Sequence, residues 1–149
     1  MSLQVSRLLR RVSSGEAMTK PVNFAREVIN NENLETAFPF KWLASQWPLP
    51  EGSYFEMDVR ANPDAPAVLS FASVNSPRKG VMSIDTLYDA TRNVLQLGVL
   101  APKQAIEPLA RGQHYLFDIR LTRPRGSEAP RVDVIASGFF LIKKGVTRG

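Results

Sequence analysis

Residues 54–60, YFEMDVR, and 114–122, HYLFDIRLT, alternate apolar and polar side chains with a period of two. Only an extended strand sends every second side chain to the same face. Phe55, Met57 and Val59 therefore belong to a core, as do Tyr115, Phe117, Ile119 and Leu121. Glu56, Asp58 and Arg60 point away from it. One strand or one hairpin cannot bury such a face alone, so the rest of the chain must supply further strands.

It does so in short runs separated by turn residues. PVNFAREVI places Val22, Phe24, Arg26 and Val28 on one face, and Asn30-Asn31-Glu32-Asn33 follows as a turn. LETAFPFKWLA reads as a second strand, which Pro39 makes an edge strand or a bulged one. WPLPEG is a turn, and AVLSFASV is a strand between the breakers ANPDAP and NSPRKG. VMSIDTLYDATRNVLQLGVL reads as a hairpin turning around residues 89–93, with a helix over 84–94 as the alternative that periodicity leaves open. APKQAIEPLARG is one or two helical turns, opened by Pro102, shortened by Pro108 and closed by Gly112.

The last strand, RVDVIASGFFLIKK, follows a turn-rich RPRGSEAP. Val132 and Val134 share a face, yet both parities are apolar by Phe139 to Ile142. A bulge near Ser137-Gly138, or burial on both sides, accounts for that. Seven or eight short strands predict a mainly β fold: an antiparallel immunoglobulin-like β-sandwich over residues 21–149, with a short helical turn and an N-terminal arm over 1–20.

Charge is concentrated in that arm. Arg7, Arg10, Arg11 and Lys20 against Glu16 give it a net +3 of the chain's +5. Leu3, Leu8, Leu9 and Val12 can share one side of a short helix, with the arginines mostly off it. Such an arm suits an acidic surface on a partner, or it is a solvated tail. No apolar run approaches the roughly 20 residues of a membrane helix, and no membrane partner is expected.

Groups able to do chemistry are sparse. The absence of cysteine excludes disulfides, thiolate zinc sites and thiol nucleophiles. The single histidine, His114, begins a strand without a G-x-S-x-G elbow to serve. Neither a calcium loop nor a phosphate-cradling glycine loop occurs. Asp58, Asp118 and Asp133 are expected on outward faces, paired across strands with Arg60, Arg120 or Arg131 rather than poised as a glycosidase pair. No catalytic residue, metal or cofactor is expected. Arg123, Arg125 and Arg131 around the last hairpin loop, with Lys143, Lys144 and Arg148 at the end and the arginines of the arm, would suit nucleic acid, but most aromatics fall on the inward parity and leave few exposed rings for bases. Trp42 and Trp47 flank the proline turn, either as core plugs or as anchors at a protein interface.

Laid end to end, PLPEGSYFEMDVRANPDAPAVLSF, YDATRNVLQLGV, IEPLARGQHYLFDIRLTRPRG and SGFFLIKKGVTRG resemble the N-terminal domain of tailed-bacteriophage baseplate upper proteins. The matching features are Pro48-Leu49, the strand from Phe55 to Arg60, Asp89-Ala90-Thr91, residues 109–112, Tyr115 to Asp118, Leu121-Thr122 and Val146-Thr147-Arg148. Pro50-Glu51-Gly52 stands where that family has Asp-Leu-Thr-Gly, and the basic arm lies outside its pattern.

The resemblance implies a non-enzymatic virion structural protein, made in the bacterial cytoplasm. It would serve as an adaptor in the tail, baseplate or neck that binds neighbouring virion proteins or fibres. It also implies a homo-oligomer in a symmetric ring or array. A capsid decoration protein and, less favoured, a nucleic-acid-binding module are the alternatives. Candidate contact residues are Arg7, Leu8, Arg10, Arg11, Trp47, Arg123 and Arg125.

Overall fold

The alternating runs become strands in the computed structural model, which describes residues 21–145. In chain order they are β1 (Val22–Ile29), β2 (Leu34–Lys41), β3 (Tyr54–Arg60), β4 (Ala67–Ala72), β5 (Met82–Asp89), β6 (Val94–Ala101), β7 (His114–Arg125) and β8 (Glu128–Lys143). One short helix, α1 (Lys103–Ile106), follows β6 and turns Ile106 and Leu109 into the core. The arm, with Arg7, Leu8, Arg10 and Arg11, lies outside the described residues.

The mainly β class is as expected. The arrangement is a single barrel-like sheet in the order β1-β8-β7-β3-β4-β5-β6-β2, so the immunoglobulin-like sandwich of two facing sheets is not what the ladder describes. Nor is the sheet wholly antiparallel, because β1 runs parallel to β8 and β4 parallel to β5. Alternation within a strand dictates which face is buried but not which strand lies beside it. That is why the eight strands are legible in the sequence and their order is not.

β1 and β2 follow each other in sequence yet stand at opposite ends of the sheet. Side chains join them across the remaining seam. Phe24 of β1 meets Phe38 and Phe40 of β2 edge-on, at 5.0 and 5.7 Å. Arg26 sends Nε to Thr36 Oγ1 (3.3 Å) and Nη2 to the Ala37 carbonyl (3.2 Å). Its guanidinium also lies 5.1 Å from the Phe24 ring and 5.2 Å from that of Phe38, within cation–π range. Pro39 sits on β2 in an unbroken register with β6, which makes β2 an edge strand and excludes the bulged alternative there.

Two details of the last hairpin differ from expectation. RPRGSEAP contributes mostly to strands, leaving Gly126 and Ser127 as the turn, with Gly126 at φ +65°. The bulge falls at Ile135, not at Ser137-Gly138: Ile119 pairs with Ala136 and Arg120 with Val134, leaving Ile135 extra. Ile135 and Ala136 are both buried in consequence, and the inward parity changes there. Val132 and Val134 therefore face outward, while Arg131 and Asp133 take the inward parity.

The core runs from Trp42, Phe38 and Phe140 through Phe55, Met57 and Phe71 to Leu95 and Leu97, all fully or nearly fully buried. Trp42 is thus a core plug, its Nε1 donating to the Gln46 carbonyl at 3.1 Å. The 84–94 stretch is a hairpin rather than a helix. Its turn is held by Asp89, whose Oδ1 accepts from the Thr91 and Arg92 amides at 3.0 and 3.2 Å.

Candidate functional site

Two places concentrate polar groups. The first is the outer face of β3. Asp58 points away from the core as its parity requires, yet its side chain is only 6% exposed, because the 73–81 segment folds over it. Ser76 of that segment donates to Glu56 Oε2 (2.8 Å), and Arg78 Nη1 lies 3.0 and 3.2 Å from the two Asp58 oxygens. Ser70 Oγ donates to Asp58 at 2.6 Å, Arg120 Nη2 bonds its Oδ2, and Arg60 stands at 3.8 Å. Asp118 is directly opposite Asp58 in the ladder, and Arg120 reaches toward it as well, at 3.7 Å.

Burial by itself would raise the Asp58 pKa. The Ser70 and Arg78 hydrogen bonds and the charges of Arg78 and Arg120 outweigh it and hold the carboxyl below its ordinary value. A general acid needs the opposite shift. The cluster therefore works as a clasp that fastens the 73–81 segment to the sheet.

Because the folded pKa is lowered, the clasp is fully present above the ordinary aspartate range, near pH 4, and is lost as pH falls through the lowered native value. Asp58→Asn should cost about 1–2 kcal/mol at pH 7, a buried-pair loss discounted for the partly exposed arginines. Urea titrations of both proteins should show that gap closing in acid. A pH-independent gap would assign the loss to packing instead.

The second place lies where the sheet parts. β4 and β5 pair at two positions only, Phe71 with Met82 and Ala72 with Ser83. Beyond Ala72, Ser73 closes the β3–β4 ladder: its amide donates to the Phe55 carbonyl (2.9 Å) and its Oγ accepts from the Phe55 amide (2.8 Å). β5 continues along β6 alone. The 47–52 turn packs into the resulting gap and leaves a groove of about 500 Å³.

Phe55 and Ile84 form the buried part of its lining, with Trp47 and Leu49 half-buried beside them. Trp47 is fixed by stacking on Tyr88 at 5.2 Å, and the Tyr88 hydroxyl donates to the Trp42 carbonyl at 2.9 Å. Gly52 closes the turn at φ +89°, a conformation that suits glycine, with the Pro124 ring against it. At the rim, Val74 is 80% exposed beside Asn75, whose φ is +80°.

The electrostatics of the groove are one-sided. Glu51 and Asp85 line it, no lysine or arginine does, and neither carboxylate has an ion-pair partner among the described residues. The hydroxyl of Ser53, also in the lining, is buried without a hydrogen-bond partner. A buried unsatisfied hydroxyl and two free carboxylates around an apolar floor form a surface that a cationic, partly apolar segment would complete.

Of the residues singled out in the sequence, Trp47 lies in this groove. Arg123 is engaged elsewhere: its Nη2 meets Asp133 Oδ2 at 2.6 Å, and Arg131 Nε reaches the same oxygen at 3.0 Å. These contacts hold the hairpin strands together below the turn. Arg125 is exposed and donates from Nε to the Ala129 carbonyl at 2.9 Å. His114 is exposed at the start of β7, edge-on to the Phe139 ring at 4.8 Å. Of the pairings expected across strands, Asp58 with Arg120 is present; Asp118 and Asp133 meet Arg120 and Arg131 of their own strands instead, and Asp133, moved by the bulge to the inward parity, also meets Arg123 across the hairpin.

Sequence reasoning missed Val74 and Asp85 as groove residues. Glu51 was visible only as a departure from a family pattern. Among the described residues no helix is long and apolar enough to cross a membrane, and no cluster of three metal-ligating side chains occurs. No protein-family model matches the chain, and no curated protein matches it.

Proposed function

We propose that this chain is a non-enzymatic structural adaptor of a phage particle, in the tail, baseplate or neck, that holds neighbouring virion proteins through its surface grooves and its arm. The groove between β4 and β5 carries this reading: an apolar floor, unpaired carboxylates and an exposed valine are suited to a protein segment. Further support comes from the outer face of β7 and β8, where Leu116, Val132 and Val134 are 40%, 56% and 43% exposed. The resemblance to baseplate upper domains supplies the virion setting.

The decoration reading uses the same surfaces at a different place in the particle. The nucleic-acid reading is the weaker one, because Arg123 and Arg131 are engaged with Asp133 and leave Arg125 as the exposed arginine of that loop.

Quantitative mass spectrometry of purified particles tests the proposal. Copy numbers on the scale of the portal ring are expected. Numbers approaching those of the major capsid protein would replace the adaptor with a decoration protein, and absence from particles would overturn both virion readings.

A further inference from the structure

We propose that in the free chain the groove between β4 and β5 is covered by the chain's own arm, with residues 3–12 laid along the unpaired edge of β5. The groove is then masked until a partner segment displaces the arm. This goes beyond the adaptor reading, because it concerns the chain before any neighbour is met.

The groove is built for a protein segment. β5 pairs with β4 only as far as Ser83 and runs on beside β6 alone, so alternate residues from Ile84 onward turn their N–H and C=O groups toward the gap. Among the described residues no backbone hydrogen bond ties that edge to the 47–52 turn. An extended segment completes such an edge through its own backbone.

Charge and apolar fit narrow the segment. Glu51 and Asp85 line the groove without counterions among the described residues, and no lysine or arginine lines it. Residues 3–12 carry Arg7, Arg10 and Arg11 and no acidic residue. Leu8 and Leu9 are of a size to cover Trp47, Leu49 and the exposed Val74, and the arginine stems can lie on apolar surface while their heads reach the rim.

Distance selects the chain's own arm over that of another copy. The short way round the barrel crosses the seam from Phe24 to Phe38, continues to Leu97 and ends at Thr86, which lines the groove. The seam brings the β1 and β2 backbones within 8 Å. Two strand spacings add about 10 Å, so the groove lies roughly 20 Å from the start of β1. Thirteen residues separate Leu8 from Val22. A chain of that length spans about 20 Å as a coil. A tether whose span matches the distance holds its own arm at an effective concentration in the millimolar range, and a second copy competes on equal terms only at that protein concentration.

The sequence has no cysteine, so the contact is read in the full chain as Leu8→Cys/Val74→Cys. Val74 is too exposed for its replacement to disturb the core. Under mild oxidation at low micromolar protein, the disulfide joining positions 8 and 74 should close within one chain, at a rate unchanged on about tenfold dilution. Leu8→Cys/Leu116→Cys is the control. Leu116 is exposed and pairs with Phe139, which pairs with Ala25, so it stands two strands from β1, nearer the root of the arm than the groove is. An arm without a preferred site would reach it at least as often.

The 8–74 disulfide is expected to close at least about tenfold faster than the 8–116 disulfide. Adding Glu51→Lys with Asp85→Lys should slow it about tenfold, and adding Arg10→Glu with Arg11→Glu to that chain should restore it. Equal rates for the two cysteine pairs overturn the proposal. So does an 8–74 disulfide that joins two chains and slows on dilution, which would mean that copies exchange arms. Particle composition is untouched by this experiment, so its failure leaves the adaptor reading to stand or fall by copy number.

Discussion

Phe38→Ala should destabilise the protein by about 3–5 kcal/mol, the usual cost of emptying a buried phenylalanine site. Phe38 is fully buried and stands at the point where the sheet closes on itself. Phe24 meets its ring edge-on at 5.0 Å from β1, Phe117 lies 5.3 Å away on β7, and the Arg26 guanidinium rests against its face. Losing the ring opens a cavity and also removes the surface that Phe24 and Arg26 of β1 both meet. Urea denaturation gives the number. Leu87→Ala is a suitable control, since Leu87 is 67% exposed and should cost within about 0.5 kcal/mol. Similar losses for the two would mean that the seam contributes little.

Gly138→Ala should cost about 3 kcal/mol although it adds a single methyl group, near the upper end of overpacking effects. Gly138 faces Phe24 across the parallel β1–β8 ladder, and a Cβ there would lie 1.9 Å from the Phe24 carbonyl oxygen and 2.9 Å from the Phe117 ring. A backbone oxygen cannot rotate aside as a side chain can. β1 must therefore move away from β8 at the third of eight paired positions. Amide hydrogen exchange should show faster exchange along β1 with little change on β3 and the lower half of β7. A uniform loss across all strands would show instead that the sheet has no independent edge.

Both effects concern contacts that the sequence only half discloses. The alternation of β3 and β7 reveals their buried faces residue by residue, because period two is a local property of the chain. Pro39 announces an edge for the same reason: a missing N–H is local. The pairing of β1 with β8 joins distant segments in parallel, and nothing in VNFAREVI favours that neighbour over β2. The bulge was expected from the apolar residues on both parities, but Ile135-Ala136 is as compatible with a regular strand as Ser137-Gly138, and only the register fixes its position.

The groove was the least legible feature. It exists because β4 and β5 share two paired positions and then part, and because the turn that precedes β3 fills part of the gap. Trp47 could be flagged by residue type, since tryptophan beside a proline turn is either core or contact. Asp85 and Val74 carry no such mark. Asp58 presents the converse case: its outward parity is plain from the alternation, but its burial depends on Arg78 and Ser76 arriving from a segment with no strand pattern.

The parallel ladder between β1 and β8 also orders events during synthesis. Val22 finds its partner in Ala136, which is added 114 positions later. At roughly 5–20 residues per second that interval is about 6–23 s. Throughout it the hydrogen-bonding edge of β1 that faces β8 has no native partner, and Phe24 lacks the β8 backbone beside it. A nascent chain of this design carries an adhesive edge until its final long strand emerges. Crowding of nascent chains along one messenger, rather than the stability of the finished fold, would then set how much protein reaches the assembled state.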